Sequence, residues 1–203
     1  IVSPASVVNA DLVARAVKTL RTWGYDPYVA PHALTRHGTF AASADDRYDD
    51  LSTALLDPST RAVICSRGGY GTVHLLERLN RLPLADYPKW VVGFSDISAL
   101  HALMLSKGIA SVHSSMAKRL ALGPDDPINQ RLKRILEGER RSLTFDVNPL
   151  NKPGTAEGRL AGGNIAVLAQ LINTPFDLLK PGGILFIEDI AEPIYKVERT
   201  LYQ

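Results

Sequence analysis

Trp90-Val91-Val92-Gly93-Phe94-Ser95-Asp96-Ile97-Ser98-Ala99-Leu100-His101-Ala102-Leu103-Met104 is the stretch that decides the fold. Trp90-Val91-Val92 is an apolar run and reads as a buried strand. Residues 97–104 read as a helix. The turn between them is short, and it carries a serine. A serine on a sharp strand-to-helix turn exposes its hydroxyl and aims the next backbone N–H at a substrate carbonyl, which is the geometry of a nucleophile elbow. The match to G-x-S-x-G is partial, because Ile97 stands at the second glycine. The alternative is that Ser95-Asp96 is an N-cap pair opening an ordinary helix.

The same alternation extends outward from this turn. Ile1-Val2 reads as the tail of a strand running into Ser3-Pro4-Ala5-Ser6. Residues 11–22 form a helical pattern with Leu12, Val13, Ala16, Val17 and Leu20 on one face, ended by Gly24. Pro27-Tyr28-Val29-Ala30 reads as a second strand, 32–44 as loop and 45–56 as a helix closed by Pro58. Residues 61–65 read as a buried strand, followed by the turn Arg67-Gly68-Gly69-Tyr70-Gly71 and a helix over 72–82. Ile109-Ala110-Ser111-Val112 is a further short strand. This βαβα rhythm predicts an α/β fold with a mostly parallel sheet and helices on both faces. The turn-rich stretch 148–154 reads as a linker. It separates an N-terminal α/β domain over 1–147 from a smaller part over 155–203. In that part 155–160 and 183–187 read as strands, 164–172 and 192–203 as helices. The ending within a helix reads as the beginning of a second domain, incomplete.

The composition narrows the function classes. The chain has 203 residues, 45% hydrophobic and 22% charged, in the range of a globular protein. No apolar run approaches a membrane span. No targeting segment is seen, although the chain opens on Ile1 rather than Met. A net charge of +2 gives no bulk attraction to nucleic acid. The basic residues Lys118-Arg119 and 131–141 are diluted by acids and read as solvated helix faces. Cys65, the single cysteine, excludes an internal disulfide and reads as a buried structural thiol.

The turns at Gly69 and Ser95 both fall at carboxyl ends of successive strands, where open α/β sheets bind ligands. That joins them into one candidate site. The glycine turn can cradle an anion with its N–H groups. It can equally give one donor of an oxyanion hole, with the second from Asp96, or simply be a tight turn. The Walker lysine and the G-x-G-x-x-G spacing are both absent. A serine nucleophile needs a base, and the base an orienting acid. Glu188-Asp189, just past the run 183–187, suits the acid, or is a solvated strand end; Glu157 and Glu192 are lesser candidates. The five histidines are His32, His37, His74, His101 and His113. His101 lies six residues past Ser95 and points to another side of its helix, His74 reads as surface, and His32 and His37 sit in the loop. His113 is the most sheet-adjacent. No spacing points to a metal site.

These residues occur in the order of a known family. Ser3-Pro4-Ala5-Ser6, Cys65-Ser66-Arg67-Gly68-Gly69-Tyr70-Gly71, Pro88-Lys89, Gly93-Phe94-Ser95-Asp96-Ile97, Glu157-Gly158-Arg159-Leu160, Gly162-Gly163-Asn164, Leu185-Phe186-Ile187-Glu188-Asp189-Ile190, Tyr195 and Glu198-Arg199 carry the resemblance over nearly the whole chain. The chain resembles the LD-carboxypeptidases, serine peptidases that include muramoyltetrapeptide carboxypeptidases and microcin-immunity peptidases. The resemblance implies an N-terminal domain of class I glutamine amidotransferase-like layout and a site between two domains. Ser95 takes the nucleophile's place and Glu188 that of the triad glutamate. Gly69 and Asp96 match the oxyanion-hole donors, and Asn164 and Arg67 match positions lining the substrate cleft. The implied reaction removes a terminal D-amino acid from an L-centre, typically D-alanine from murein tetrapeptide. It implies a cytoplasmic homodimer that needs no cofactor. The alternatives are a related peptidase acting on a peptide–nucleotide antibiotic, and a non-catalytic module binding small peptides or anions. The family's triad histidine follows the glutamate in a segment that these 203 residues do not contain, so none of the five is assigned to it. His113-Ser114 stands where the family often has His-Gly, which puts nearby substrate contacts in question.

Overall fold

Alternate side chains of the central strands face two different helix layers, as the twofold repeat of a strand requires. The computed structural model describes residues 1–139 and 142–203; Arg140 and Arg141, at the end of the basic stretch, lie outside the described residues. Strands β1 (Ala62–Ile64), β2 (Trp90–Gly93) and β3 (Val112–His113) form a parallel sheet in the order β1-β2-β3. Val2 adds a parallel bridge to Cys65 at the outer edge. Val63, Cys65 and Val91 pack with Leu51 and Leu55 of α2 (Ala44–Leu56), Leu79 of α3 (Leu76–Asn80) and Leu100 and Leu103 of α4 (Ser98–Ser106). Ile64, Val92 and Val112 turn the other way. They meet Val13, Ala16 and Leu20 of α1 (Ala10–Thr22), Leu120 of α5 (Ala117–Leu120) and Leu132 of α6 (Pro127–Leu136). The expected parallel α/β sheet with helices on both faces is what forms.

Local chemistry sets the helix starts. Asn9 caps α1 by accepting the Asp11 N–H, Ser43 caps α2 through Asp46, and Asp126 caps α6 through Ile128 and Asn129 ahead of Pro127. Cys65 is fully buried, and burial pushes its thiol up to about 12, as befits a structural residue.

Four elements depart from expectation. Residues 27–30 form no strand; Pro27 and Pro31 bring no N–H, and two bonds tie the segment to the first residue, the Ala30 N–H donating to the Ile1 oxygen at 2.9 Å and the Ile1 ammonium donating to the Tyr28 oxygen. The helix expected over 72–82 is a 3₁₀ turn, Thr72–Leu75, followed by α3. The strand expected over 109–112 shrinks to β3. The strand expected over 155–160 instead begins at Arg159 and runs through both glycines to Asn164.

That strand, β4 (Arg159–Asn164), pairs in parallel with β5 (Gly183–Glu188), Asn164 opposite Glu188. Gly162 has φ 154°, and a Cβ there would overlap the Phe186 carbonyl oxygen, so the pair of glycines is an in-strand close approach and not a turn. Helices α7 (Ile165–Ala169) and α8 (Ile194–Tyr202) follow the two strands. The β4–β5 unit is fastened to α4. The Asn164 N–H donates to Ser98 Oγ at 2.9 Å, and Arg159 Nη2 donates to the Leu105 oxygen at 3.1 Å. Residues 142–158 carry no helix or strand and lie exposed.

Candidate active site

The strand-to-helix turn expected at Ser95 forms, and its glycine is placed by contact. Strand β2 ends at Gly93, where a Cβ would stand 2.8 Å from Ile97 Cγ2. Ile97 is fully buried and folds back over that glycine. This is why the second motif position tolerates isoleucine: the tight approach is taken up at Gly93. Phe94 is fully extended, and Ser95 then swings to φ 64°, one of two non-glycine residues with positive φ among the described residues. A left-handed non-glycine backbone costs of order 1–3 kcal/mol and persists where surroundings enforce it. Ser95 makes no side-chain cap for the 3₁₀ turn Ser95–Ile97 or for α4. The N-cap alternative therefore does not describe it.

The glycine turn after β1 lies directly against the serine. A Cβ on Gly68 would stand 2.9 Å from Ser95 Cβ and 3.1 Å from Ser95 Oγ. Gly69, at φ 110°, has no room for a Cβ beside Ser6 Oγ, and that hydroxyl accepts the Tyr70 N–H at 3.3 Å. Neither the Gly69 nor the Asp96 N–H has a backbone acceptor among the described residues. The buried Asp96 carboxylate accepts the Thr72 N–H at 2.9 Å, tying the elbow to the glycine turn.

Arg47 closes the back of this arrangement. It is buried and donates to the carbonyls of Ala42, Pro4 and Gly71. Burial lowers the Arg47 pKa, and the charge of Asp96 opposes that shift. Sequence reasoning missed it, although a signal was there: Arg47, Leu51 and Leu55 share one helix face at i, i+4 and i+8.

A cleft of about 500 Å³ opens in front of these groups, lined by Gly69, Tyr70, Ser95, Asp96, Asn164, Asp189 and Lys196 among others. Asn164 caps α7 through the Val167 N–H, and its Nδ2 donates to Asp189 Oδ2 at 3.1 Å. The two adjacent carboxylates are pushed in opposite directions. Burial, then the charge of Asp189, raises Glu188, with the Asn164 amide opposing. Burial also acts to raise Asp189, yet the N–H groups of Glu192 and Ala191 and the Asn164 amide hold it below the usual range. Glu188 sits at the end of β5, behind the cleft lining, with Oε1 buried and without a hydrogen-bond partner among the described residues. Arg67 is not among the lining residues; its guanidinium donates to the Val7 oxygen at 2.7 Å.

The histidines sort by contact. His101 is buried, and its Nε2 must donate to the Gly93 oxygen at 2.9 Å, leaving Nδ1 to accept from Ser111 Oγ at 2.8 Å. Burial pushes it down to about 4. His74 is exposed, as expected, with its ring edge-on to Phe40 and Tyr70. His113 is the one beside Glu188, Nε2 to Oε1 at 3.9 Å.

A left-handed serine on a strand-to-helix turn, packed on a glycine turn, is a layout found in α/β enzymes that act by acyl transfer. The LD-carboxypeptidase N-terminal domain matches residues 1–114 and the LD-carboxypeptidase C-terminal domain residues 157–203. The chain belongs to the LD-carboxypeptidase family. It is 37% identical to a putative carboxypeptidase of Streptomyces coelicolor, covering 100% of this chain and 68% of that protein. It is 34% identical to the murein tetrapeptide carboxypeptidase of Pseudomonas aeruginosa, covering 100% of this chain and 69% of that protein. The crystal structure of muramoyltetrapeptide carboxypeptidase from Oxalobacter formigenes superposes with a TM-score of 0.89 at 32% identity, over 99% of this chain and 68% of that one. The chain thus spans about two thirds of the length of these relatives.

Proposed function

We propose that the protein hydrolyses the amide between an L-centre and a terminal D-amino acid, releasing D-alanine from murein tetrapeptide. The observation that carries this reading is Ser95, left-handed and seated on Gly68, next to a glycine turn whose Gly69 N–H, like that of Asp96, has no backbone acceptor among the described residues. The named relatives supply the substrate class. Ser95 Oγ attacks the scissile carbonyl while a histidine accepts its proton. The resulting oxyanion lies against the two main-chain N–H groups, each worth about 3 kcal/mol of transition-state stabilisation in sites of this kind. The histidine then protonates the leaving D-amino acid's nitrogen, and water releases the acyl group by the reverse sequence.

Glu188 is the acid that orients the histidine, which the family resemblance places C-terminal to that glutamate. Asn164 and Arg67 are proposed to contact substrate, Asn164 from the cleft wall and Arg67 on the resemblance alone. The cleft would then lie between the N-terminal domain, 1–147, and the part over 155–203, joined by 148–154. We further take the protein to act as a cytoplasmic homodimer on the resemblance alone; among the described residues no helix is long and apolar enough to cross a membrane.

Ser95→Ala in the full-length protein is expected to abolish D-alanine release from tetrapeptide with the circular dichroism spectrum unchanged. A fluorophosphonate probe is expected to label the parent at Ser95 and leave the variant unlabelled. Turnover retained by Ser95→Ala overturns the mechanism.

A further inference from the structure

We propose that His113 is a positioning residue for Glu188, donating its Nε2–H to Glu188 Oε1 and so fixing the carboxylate that orients the base. The proposal rests on the assignment of Glu188 made above. Two independent observations meet here. Glu188 Oε1 is buried and has no hydrogen-bond partner among the described residues. A buried acceptor left in that condition costs about 1–3 kcal/mol, more for a charged group. The His113 imidazole stands 3.9 Å away, Nε2 toward that same oxygen. This is about 1 Å beyond an N–H···O bond. Catalytic hydrogen bonds are often long in the free enzyme and tighten once substrate is seated. A small rotation of either side chain closes the gap.

The placement follows from the strands. Phe186 and Glu188 lie two apart on β5 and so face the same side. Phe186 meets the His113 ring edge-on at 5.1 Å, while Phe94 of the elbow meets it at 5.9 Å. His113 itself pairs with Gly93 at the end of β3. One imidazole therefore spans the sheet that presents the serine and the strand that presents the acid.

Its charge state suits the role. Burial lowers the His113 pKa, so the ring donates as a neutral group and does not neutralise Glu188 as a counter-ion would. The other titratable groups around it are His101, 6.0 Å away and bonded to the Gly93 carbonyl, and Asp189, next to Glu188.

The test uses the full-length protein and a synthetic tetrapeptide ending in D-alanine. His113→Leu is expected to lower kcat about tenfold with KM unchanged, and His113→Gln, which keeps an N–H donor, to recover most of it. On a Glu188→Gln background His113→Leu is expected to add nothing, because the two act as one unit. A His113→Leu variant within about twofold of the parent, a His113→Gln variant as impaired as His113→Leu, or a loss as complete as that of Ser95→Ala overturns the proposal. Nitrogen-15 NMR of the imidazole decides it without turnover. The expected result is an Nε2-protonated His113 whose signals move in Glu188→Gln; an Nδ1-protonated ring or unmoved signals overturns it. A parent that releases no D-alanine defeats the peptidase reading instead, and the NMR result still stands or falls by itself.

Discussion

At Ser95 the backbone and the chemistry ask for different things. The hydroxyl is presented because φ is 64°, a conformation that serine avoids and that Gly68 and Gly93 make room for. Gly68 is the sharper probe of the two, since its own φ lies outside the left-handed range and an added methyl acts by contact alone. Gly68→Ala is expected to push Ser95 aside and to lower kcat roughly 100-fold, the scale at which about 1 Å of misplacement is felt. The unfolding temperature, measured alongside, should change little. Steady-state kinetics together with the rate of fluorophosphonate labelling check this. Gly93-Phe94-Ser95 was legible as an elbow because strand, turn and helix follow each other locally. The seat of the serine was not, because Gly68 and Ser95 meet through the fold and no local pattern records it.

Helix α4 shows what an element's composition declares and what it hides. Residues 98–104 are all buried, so the helix has no polar face to give it an orientation. Its sequence announces burial and says nothing about neighbours. The orientation comes from partners outside the helix such as Asn164, whose N–H donates to Ser98 Oγ, and Gly163, against which Ser98 packs. Ser98→Ala leaves that N–H without its acceptor. The expected loss is about 1–3 kcal/mol, seen as a lower urea midpoint at unchanged slope. The misplacement of β4 in the sequence reading has the same origin. Gly162-Gly163 looks like a turn by local rules, yet both glycines are in-strand because Phe186 and Ser98 approach them from outside the segment. Proline likewise removed the expected strand at 27–30, a local signal that was present and underweighted.

At the scale of the molecule, the alternating strands and helices of the first two thirds were readable, and so was the layer order they dictate. The charged interior was not, because buried Arg47, Asp96 and His101 look like any other charged or polar residues in the sequence. His101 makes the pH dependence of folding specific. Its folded pKa is depressed from 6.5 to about 4, so the unfolded chain takes up the proton first as pH falls. The stability it protects is fully present above pH 6.5 and is lost progressively toward pH 4, amounting to about 3 kcal/mol. Thermal unfolding across that window is expected to show a steep decline in the parent and a flatter one in His101→Gln. A parent with no decline there would contradict the burial of the ring.

The three carbonyls gathered by Arg47 carry a consequence for how activity is lost. Pro4 and Gly71 lie 43 and 24 positions from the guanidinium that joins them, so this rear knot draws together distant parts of the chain. No fragment of secondary structure can hold it alone. Loosening any one of those loops undoes the knot for all of them, and with it the seat of the reactive hydroxyl. Residual turnover in mild denaturant therefore counts the molecules still wholly assembled, and a half-melted species contributes nothing to it.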